Sequence, residues 1–275
     1  MAPRVWFITG CSTGFGRELA LQVLQRGDRV IATARKASSL EELEAAGAKV
    51  LVLDVTASLD TLKQIAVTAH GFYGRIDVLV NNAGYVASGS IEELTPEETF
   101  SQFNTNVFSL LNVNRAFLPY LRAQRSGVIA NISSIAGWAG TPGVSMYCAN
   151  ELAEFGIKVT SIEPGYFRSN ILAESNRSVA KNIIQDYEGD TAARRGVAFH
   201  NRVNLKQQGD VVKGCRVIID VLTQSGAAEG REIPIRLVLG ADAYGAVKSK
   251  CESTIALLDE WKDITTPTDH DDVVV

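Results

Sequence analysis

The fold of this chain is decided by one stretch of its sequence, Thr9-Gly10-Cys11-Ser12-Thr13-Gly14-Phe15-Gly16. The stretch follows a short apolar run that is typical of a buried strand, and a helical pattern begins near Arg17. Glycines between a strand and a helix let backbone N–H groups approach a pyrophosphate, because no Cβ blocks the approach. We therefore predict a dinucleotide-binding loop with contacts at Gly10, Ser12, Gly14, Phe15 and Gly16.

Similar apolar runs recur along the chain at intervals that leave room for a helix. Strands are predicted by these runs at residues 5–9, 30–34, 50–54, 78–81, 128–132, 159–162 and 233–239. Helices are predicted between them by amphipathic patterns over residues 17–25, 59–69, 96–122 and 209–222. Because strands that alternate with helices form a parallel sheet covered on both faces, the predicted fold class is α/β, a single Rossmann-type doubly wound parallel sheet.

Length and composition are those of an ordinary globular domain. The chain has 275 residues, of which 46% are hydrophobic and 21% charged, and this is enough apolar material for a substantial core. No linker-like change of composition divides it, so we predict one domain over residues 1–262. Residues 263–275 are polar and lack periodicity, which predicts a flexible tail.

Charge, cysteine spacing and hydropathy argue against several classes of partner and site. With a formal charge of -4 and no Lys/Arg run, neither nucleic acid nor a membrane surface is predicted as a partner. The four cysteines are far apart in the sequence, so neither a disulfide nor a metal site is predicted. The sequence contains no signal-peptide pattern and no run long enough to span a bilayer, and we predict a cytoplasmic location.

The cofactor preference is predicted from the end of the second strand, where Arg35 and Lys36 follow residues 30–34. A site that prefers NAD carries Asp or Glu at this point to bind the ribose 2′-hydroxyl. A cation there pairs instead with a 2′-phosphate. We therefore predict NADP, with Arg35 as the main contact and Lys36 and Ser12 in support; the alternative is a solvated charge at a strand end.

Two further candidate cofactor contacts follow strands at the same edge of the predicted sheet. Asp54 ends the third strand, at the position of the adenine ring, and Asn82 follows the fourth strand in Asn81-Asn82-Ala83-Gly84. Ligands bind at the carboxyl ends of parallel strands in such folds. Taken singly, Asp and Asn are also common turn formers, so this alternative stays open.

Together these motifs resemble those of the short-chain dehydrogenase/reductase family. The resemblance rests on Thr9-Gly10-x-x-x-Gly14-x-Gly16, Asn81-Asn82-Ala83-Gly84, Asn106, Ser134, Tyr147 and Pro164-Gly165, in family order over most of the chain. The motifs are similar in style to those of hydroxysteroid dehydrogenases and fungal carbonyl reductases. The resemblance implies hydride transfer between a nicotinamide cofactor, NADP on the evidence of Arg35, and a small carbonyl or alcohol substrate, together with a homo-oligomer and a variable substrate lid over about residues 170–208.

The resemblance also implies three catalytic residues. Tyr147 matches the tyrosine that gives or takes the proton. Ser134 matches the serine that hydrogen-bonds the substrate oxygen, and Asn106 matches the asparagine that holds a proton-relay water.

Three more residues match positions near the cofactor in the family. Phe167 and Ser169, which follow Pro164-Gly165, resemble the segment that brackets the nicotinamide carboxamide. Arg115 stands where the family often has a basic residue beside the cofactor. The alternative for Arg115 is a solvated charge on a helix.

One part of the sequence departs from the family. The family pattern Tyr-x-x-x-Lys places a lysine one helical turn after the tyrosine, where it anchors the ribose and lowers the tyrosine pKa. This chain has Glu151 at that position, and a carboxylate there raises the pKa of Tyr147. About thirteen residues of the family's helix, or about 20 Å at about 1.5 Å per residue, are missing after Tyr147.

Two explanations of this gap stay open. It is either a deletion in the transcript or gene model of an ordinary enzyme, or a natural feature of a chain that has given up normal turnover. Family-like sequence resumes directly at residues 151–159, which favours the first explanation. The alternative function is a catalytically impaired NADP-binding protein that acts as a sensor, a partner subunit or a scaffold for non-redox chemistry.

Overall fold

A computed structural model describes residues 2–90, 92–134, 155–173, 176–179, 184–185, 189 and 191–268. The catalytic candidate Tyr147 lies outside the described residues, and so does Glu151. The other residues predicted to form the site all lie within them.

Strands and helices alternate along the described part of the chain. The strands are β1 (Val5–Ile8), β2 (Arg29–Ala34), β3 (Lys49–Val52), β4 (Val78–Asn81), β5 (Val86–Ser88), β6 (Gly127–Ile132), β7 (Ile157–Pro164), β8 (Arg177–Val179) and β9 (Arg236–Leu239). Seven of these strands form one parallel sheet in the order β3-β2-β1-β4-β6-β7-β9, and β5 pairs with β8 in a separate parallel sheet. The predicted α/β fold with a doubly wound parallel sheet is confirmed.

Helices cover both faces of this sheet. They are α1 (Gly14–Gln25), α2 (Glu41–Ala45), α3 (Leu59–Tyr73), α4 (Pro96–Phe103), α5 (Ser109–Gln124), α6 (Ala192–Val203), α7 (Val211–Thr223) and α8 (Ala241–Thr265). Trp6 and Ile8 of β1 pack with α1 and α7, whereas Val5 and Phe7 pack with α3 and α5. Phe7 contacts Phe117 with ring centroids 4.3 Å apart. Because both faces of β1 are buried, its sequence is a continuous apolar run rather than an alternating one.

One helix predicted from the sequence, over 96–122, is two helices in the structure. A π-helical turn, Asn104–Phe108, separates α4 from α5. A π-turn shifts the face that the following helix presents, yet amphipathic residues continue on both sides of it. The periodicity therefore indicated helix correctly and did not show the interruption.

The predicted domain boundary at residue 262 falls inside α8, which continues to Thr265. The hydroxyls of Thr265 and Thr266 donate to the carbonyl oxygens of Trp261 and Lys262 at 3.0 and 2.8 Å. Each hydroxyl thus bonds back to the carbonyl one turn earlier, and the Lys262 carbonyl oxygen also accepts from the Thr266 backbone N–H at 2.9 Å. Polar composition alone was therefore a poor guide to where the helix ends.

The strand order places the candidate site at the carboxyl end of β1. The strands β2 and β3 lie on one side of β1, and β4 and the later strands lie on its other side. The strand order thus reverses at β1, and ligands bind at such a switch point. The loops after β1, β2, β4, β6 and β7 share this edge, and they carry Gly10, Arg35, Asn82, Ser134 and Ser169.

Candidate functional site

The glycine loop packs against the end of β4 with no room for side chains. Gly10 has a φ of +70°, and a Cβ there would lie 2.8 Å from Cα of Ala83. A Cβ on Gly16 would lie 2.5 Å from the carbonyl oxygen of Gly10. The middle glycine of the motif, Gly14, has a φ of +60°, and a Cβ there would lie 3.6 Å from Cβ of Ser169. Gly10 and Gly16 therefore allow the loop to close, and Gly14 brings it beside the loop after β7.

Hydrogen bonds tie this loop to the residues that follow β4. The side-chain amide of Asn82 donates to the carbonyl oxygens of Thr9 and Gly10 at 2.9 and 3.0 Å. The Thr9 hydroxyl accepts from the backbone N–H groups of Asn82 and Ala83 at 2.9 and 3.0 Å. Asn82, predicted as a cofactor contact, thus uses its amide to hold the glycine loop in shape. Thr9, which begins the motif, is a positioning residue whose role the glycine pattern did not indicate.

The amino terminus of α1 is suited to an anion. Thr13 precedes this helix in an extended conformation and its side chain caps no backbone N–H, while Ser12 beside it is exposed. Side-chain caps are present at α3, α4, α6 and α7, from Ser58, Thr95, Thr191 and Asp210 respectively, whereas α2, α5 and α8 lack one as α1 does. An uncapped first turn keeps backbone N–H groups and the positive end of the helix dipole available for a negatively charged ligand.

Aromatic packing joins the glycine loop to the loop after β7. The ring centroids of Phe15 and Phe167 lie 5.2 Å apart, and Phe167 is only 7% exposed. A Cβ on either Gly209 or Gly214 would lie 2.7 Å from the Phe167 ring. The Phe167 ring is therefore a packing element between the loops, and Ser169 lies beside the glycine loop, with its hydroxyl accepting from the Ile171 N–H at 3.4 Å.

Arg35 and Asp54 lie at the neighbouring ends of β2 and β3, and both are exposed. The hydroxyl and the N–H of Thr56 donate to Oδ1 of Asp54 at 2.7 and 2.9 Å. These bonds, together with the nearby charge of Arg35, lower the pKa of Asp54. Arg35 forms no salt bridge with any described residue, so its guanidinium is available to a ligand.

Asn106 lies in the π-helical turn between α4 and α5, a type of distortion that is frequent at functional sites. Its side-chain nitrogen donates to the carbonyl oxygen of Tyr85 at 2.9 Å, and its Oδ1 accepts from the N–H of Tyr85 at 3.2 Å. A Cβ on Gly84 would lie 3.3 Å from the same Oδ1. Asn106 therefore holds the segment that follows β4 against the start of α5.

Ser134 lies just beyond β6 and is exposed. The N–H of Ser133 donates to the carbonyl oxygen of Ile162 at 2.7 Å, which extends the pairing of β6 with β7 up to this point. Ser134 therefore lies at the carboxyl edge of the sheet. Its predicted catalytic partner, Tyr147, lies outside the described residues.

Arg115 lies on the exposed face of α5. Its Nη1 donates to Oδ1 of Asn112, one turn earlier, at 2.7 Å. The opposite face of α5 carries the buried residues Val113, Ala116 and Phe117. This position fits a solvated helix charge, the alternative to a cofactor contact.

The predicted lid, residues 170–208, contains β8 and α6 and is held to the rest of the site by a buried ion pair. Arg194 of α6 donates from Nη2 to Oε1 of Glu93 at 2.6 Å, and Glu93 is fully buried. The Ser90 N–H and hydroxyl donate to Oε2 of Glu93 at 3.1 and 2.9 Å, and the Ile184 N–H donates to Oε1 at 3.3 Å. These donors, the Ser90 N–H above all, outweigh the effect of burial and lower the pKa of Glu93 to about 2.

We expect Glu93→Gln to loosen the lid and to remove a pH dependence of stability. Because the pKa of Glu93 is lowered by folding, its contribution is present above the ordinary value of 4.5 and is lost as the pH falls toward about 2. The difference in urea midpoint between wild type and variant should therefore shrink through this window. Hydrogen exchange of the Ile184 amide at neutral pH should be faster in the variant.

The matched control for this change is Glu92→Gln, because Glu92 is exposed beside the buried Glu93. It removes the same charge from the same segment without breaking the ion pair. Equal Ile184 exchange rates in the two variants would show that Glu93 does not hold the lid.

The described residues contain neither a metal-binding group of side chains nor a membrane span. No group of three or more His, Cys, Asp or Glu side chains could hold a metal ion there. None of the described helices is both long and apolar enough to cross a membrane. Cys11, Cys215 and Cys251 are free thiols, and burial raises the pKa of Cys11 to about 12.

Comparison with known proteins connects this geometry to a family. The family model for short chain dehydrogenase matches residues 4–180. The oxidoreductase BOA17 of Botryotinia fuckeliana is 32% identical over 279 residues, which cover 95% of this chain and 98% of that protein. A short-chain dehydrogenase of Streptomyces avermitilis has 34% identity and a TM-score of 0.83, with coverage of 98% of this chain and 100% of its own.

Two further structures of this fold contain a dinucleotide. A metagenomic short-chain oxidoreductase in complex with NADP is 31% identical, has a TM-score of 0.53 and covers 59% of this chain and 82% of its own. A Burkholderia phymatum structure in complex with NAD is 20% identical, has a TM-score of 0.70 and covers 98% of each chain, a likeness that concerns the fold alone. The match to the family model, the similar oxidoreductases and the parallel sheet agree, and this chain therefore belongs to the short-chain dehydrogenase/reductase family of oxidoreductases.

Proposed function

We propose that this chain binds NADP and transfers hydride between its nicotinamide and the carbon of a carbonyl or secondary alcohol. The observation that carries the proposal is the uncapped amino terminus of α1 behind the closed loop at Gly10 and Gly16. Backbone N–H groups at this terminus suit a pyrophosphate, and Ser169 lies beside the same loop. When bound, the cofactor supplies or accepts the hydride.

The preference for NADP over NAD rests on Arg35. Its exposed guanidinium lies beyond β2 without a salt bridge to a described residue, at the point where a 2′-phosphate would be bound. Asp54, the acidic residue that follows the neighbouring strand β3, already accepts two hydrogen bonds from Thr56. Arg35 is therefore free to form charge-assisted hydrogen bonds with the phosphate.

We expect Arg35→Glu to weaken NADPH binding by between about tenfold and 100-fold, because hydrogen bonds to a charged partner are lost and a repulsion replaces them. The Kd for NADH should stay the same or fall, because Glu at this point is the residue type that binds the ribose 2′-hydroxyl of NAD. Both constants are measured by fluorescence titration. Arg29→Glu is the matched control, since Arg29 is an exposed arginine at the other end of β2. Equal losses for NADPH and NADH, or equal effects of the two substitutions, would contradict the assignment.

The proposed catalytic roles belong to Tyr147, Ser134 and Asn106. In the reducing direction the neutral Tyr147 hydroxyl donates its proton to the substrate oxygen, and the Ser134 hydroxyl hydrogen-bonds that oxygen as negative charge develops on it. Asn106 positions the segment at Tyr85 that borders the same edge and supports a proton-relay water. Stereospecific transfer of label from NADPH to a ketone tests this function.

A second candidate function is NADP binding without turnover, and Glu151 favours it. At the spacing of one helical turn, a carboxylate in place of the family's lysine would raise the pKa of the catalytic tyrosine and would provide no ribose anchor. Tight NADPH binding with no hydride transfer to a panel of ketones would support this sensor, partner-subunit or scaffold role. A cytoplasmic location and a homo-oligomer also remain proposals, and analytical ultracentrifugation of the full chain measures the second.

A further inference from the structure

The lid contains a concentration of buried polar atoms that have no hydrogen-bond partner. Six of the eleven such atoms in the described part of the chain lie between residues 177 and 207. They are Nε and Nη1 of Arg177, Nδ1 of His200, Oδ1 of Asn204, and Nε2 and Oε1 of Gln207. Buried polar groups without partners are costly and uncommon in native proteins, so a cluster of them indicates that a ligand or water completes the site.

Three of these side chains lie close together. Arg177 of β8 reaches α6, where its Nη2 donates to Oδ1 of Asn201 at 2.6 Å. The preceding residue, His200, has its pKa lowered by burial and then by the charge of Arg177. Asn204 lies one helical turn beyond His200, on the same side of α6. Arg177 and His200 therefore form one polar cluster, with Asn204 beside them.

This cluster lies over the edge of the sheet that carries the proposed catalytic site. Arg177 pairs with Val86 of β5, directly after the segment that Asn106 holds at Tyr85. On α6, the Phe199 ring packs edge-on against Tyr166 of the loop after β7, with centroids 5.5 Å apart. Both elements that form the cluster are thus attached to loops of the proposed active site.

The charge of Arg177 has no acidic partner among the described residues. The acidic residues of the lid, Glu174, Asp186, Glu188 and Asp190, lie outside the described residues, while α6 carries three arginines, Arg194, Arg195 and Arg202. The carboxylate that faces the lid, Glu93, is bound by Ser90, Ile184 and Arg194. The Nε and Nη1 atoms of Arg177 are buried without a partner, and such guanidinium nitrogens form their strongest hydrogen bonds with an anionic oxygen.

We propose that Arg177, flanked by His200 and Asn204, binds an anionic oxygen group of the substrate, either a carboxylate or a phosphate. The substrates are therefore oxo acids or oxo phosphates, or the corresponding hydroxy compounds, rather than neutral ketones. The inference rests on the proposed function for the identity of the ligand as substrate. The anion site itself does not depend on hydride transfer.

The test is a calorimetric titration of the full chain, with and without saturating NADPH. The probes are a series of oxo acids of increasing chain length, the methyl ester of each acid, and dihydroxyacetone phosphate. At least one acid or the phosphate should bind about tenfold more tightly than the neutral esters. Arg177→Met should remove this advantage, and Arg177→Lys should restore part of it.

Arg202→Met is the matched control, because Arg202 is an exposed arginine of α6, the helix that carries His200. Circular dichroism melts check that each variant folds. The inference is overturned if no anion in the series binds, if acids and esters bind equally, or if the Arg177 and Arg202 substitutions act alike. Hydride transfer to neutral ketones without any advantage for acids would refute the anion site alone, whereas anion binding without NADPH binding would refute the proposed function alone.

Discussion

Gly10→Ala is expected to raise the Kd for NADPH by about 100-fold or more and to destabilise the fold by about 2 kcal/mol or more. The new Cβ would lie 2.8 Å from Cα of Ala83, and the contact is with backbone, so no side-chain rotation relieves it. The loop must move away from β4, which breaks the hydrogen bonds between Thr9 and Asn82. The measurements are NADPH fluorescence titration and urea unfolding.

Gly27→Ala separates the effect of packing from that of backbone conformation. Gly27 also has a positive φ, +84°, but an added Cβ there meets no atom within 4 Å. This control should cost only about 1 kcal/mol and leave the Kd for NADPH unchanged. If both substitutions weaken NADPH binding equally, the close approach of Gly10 to Ala83 is not what shapes the cofactor loop.

Tyr147→Phe is expected to lower the kcat for ketone reduction by about 100-fold or more, because the substrate oxygen loses its proton donor. The Kd for NADPH should stay within about twofold, since the phenol is not needed for the pyrophosphate or for the 2′-phosphate. Steady-state kinetics and cofactor titration on the same preparations measure the two quantities.

Tyr244→Phe is the control for this substitution, because Tyr244 is 66% exposed on α8. Undiminished turnover of Tyr147→Phe would remove Tyr147 from the mechanism. If the wild-type chain binds NADPH but reduces no ketone or oxo acid, the non-catalytic role that Glu151 favours is supported instead. The comparison therefore distinguishes the two candidate functions.

The fold was largely predictable because its signals are local in sequence. Each strand of the main sheet overlaps a predicted apolar run, and the glycine pattern identified the turn after β1 correctly. The short strands β5 and β8 were not predicted, because three residues are too few to show a period. Helix α6 was not predicted either, since its arginines and small residues obscure an apolar face.

The sequence by itself determined the α/β fold, the position of the glycine loop, and the cation at Arg35, because strand and helix periods and turn chemistry depend on neighbouring residues. Tertiary structure alone decided how the site is held together. Glu93 and Arg194 are 101 positions apart in the chain, and Thr9 and Asn82 are 73 apart. Such pairs leave no local pattern, because their contact exists only once the parallel sheet has brought the carboxyl ends of its strands to one edge.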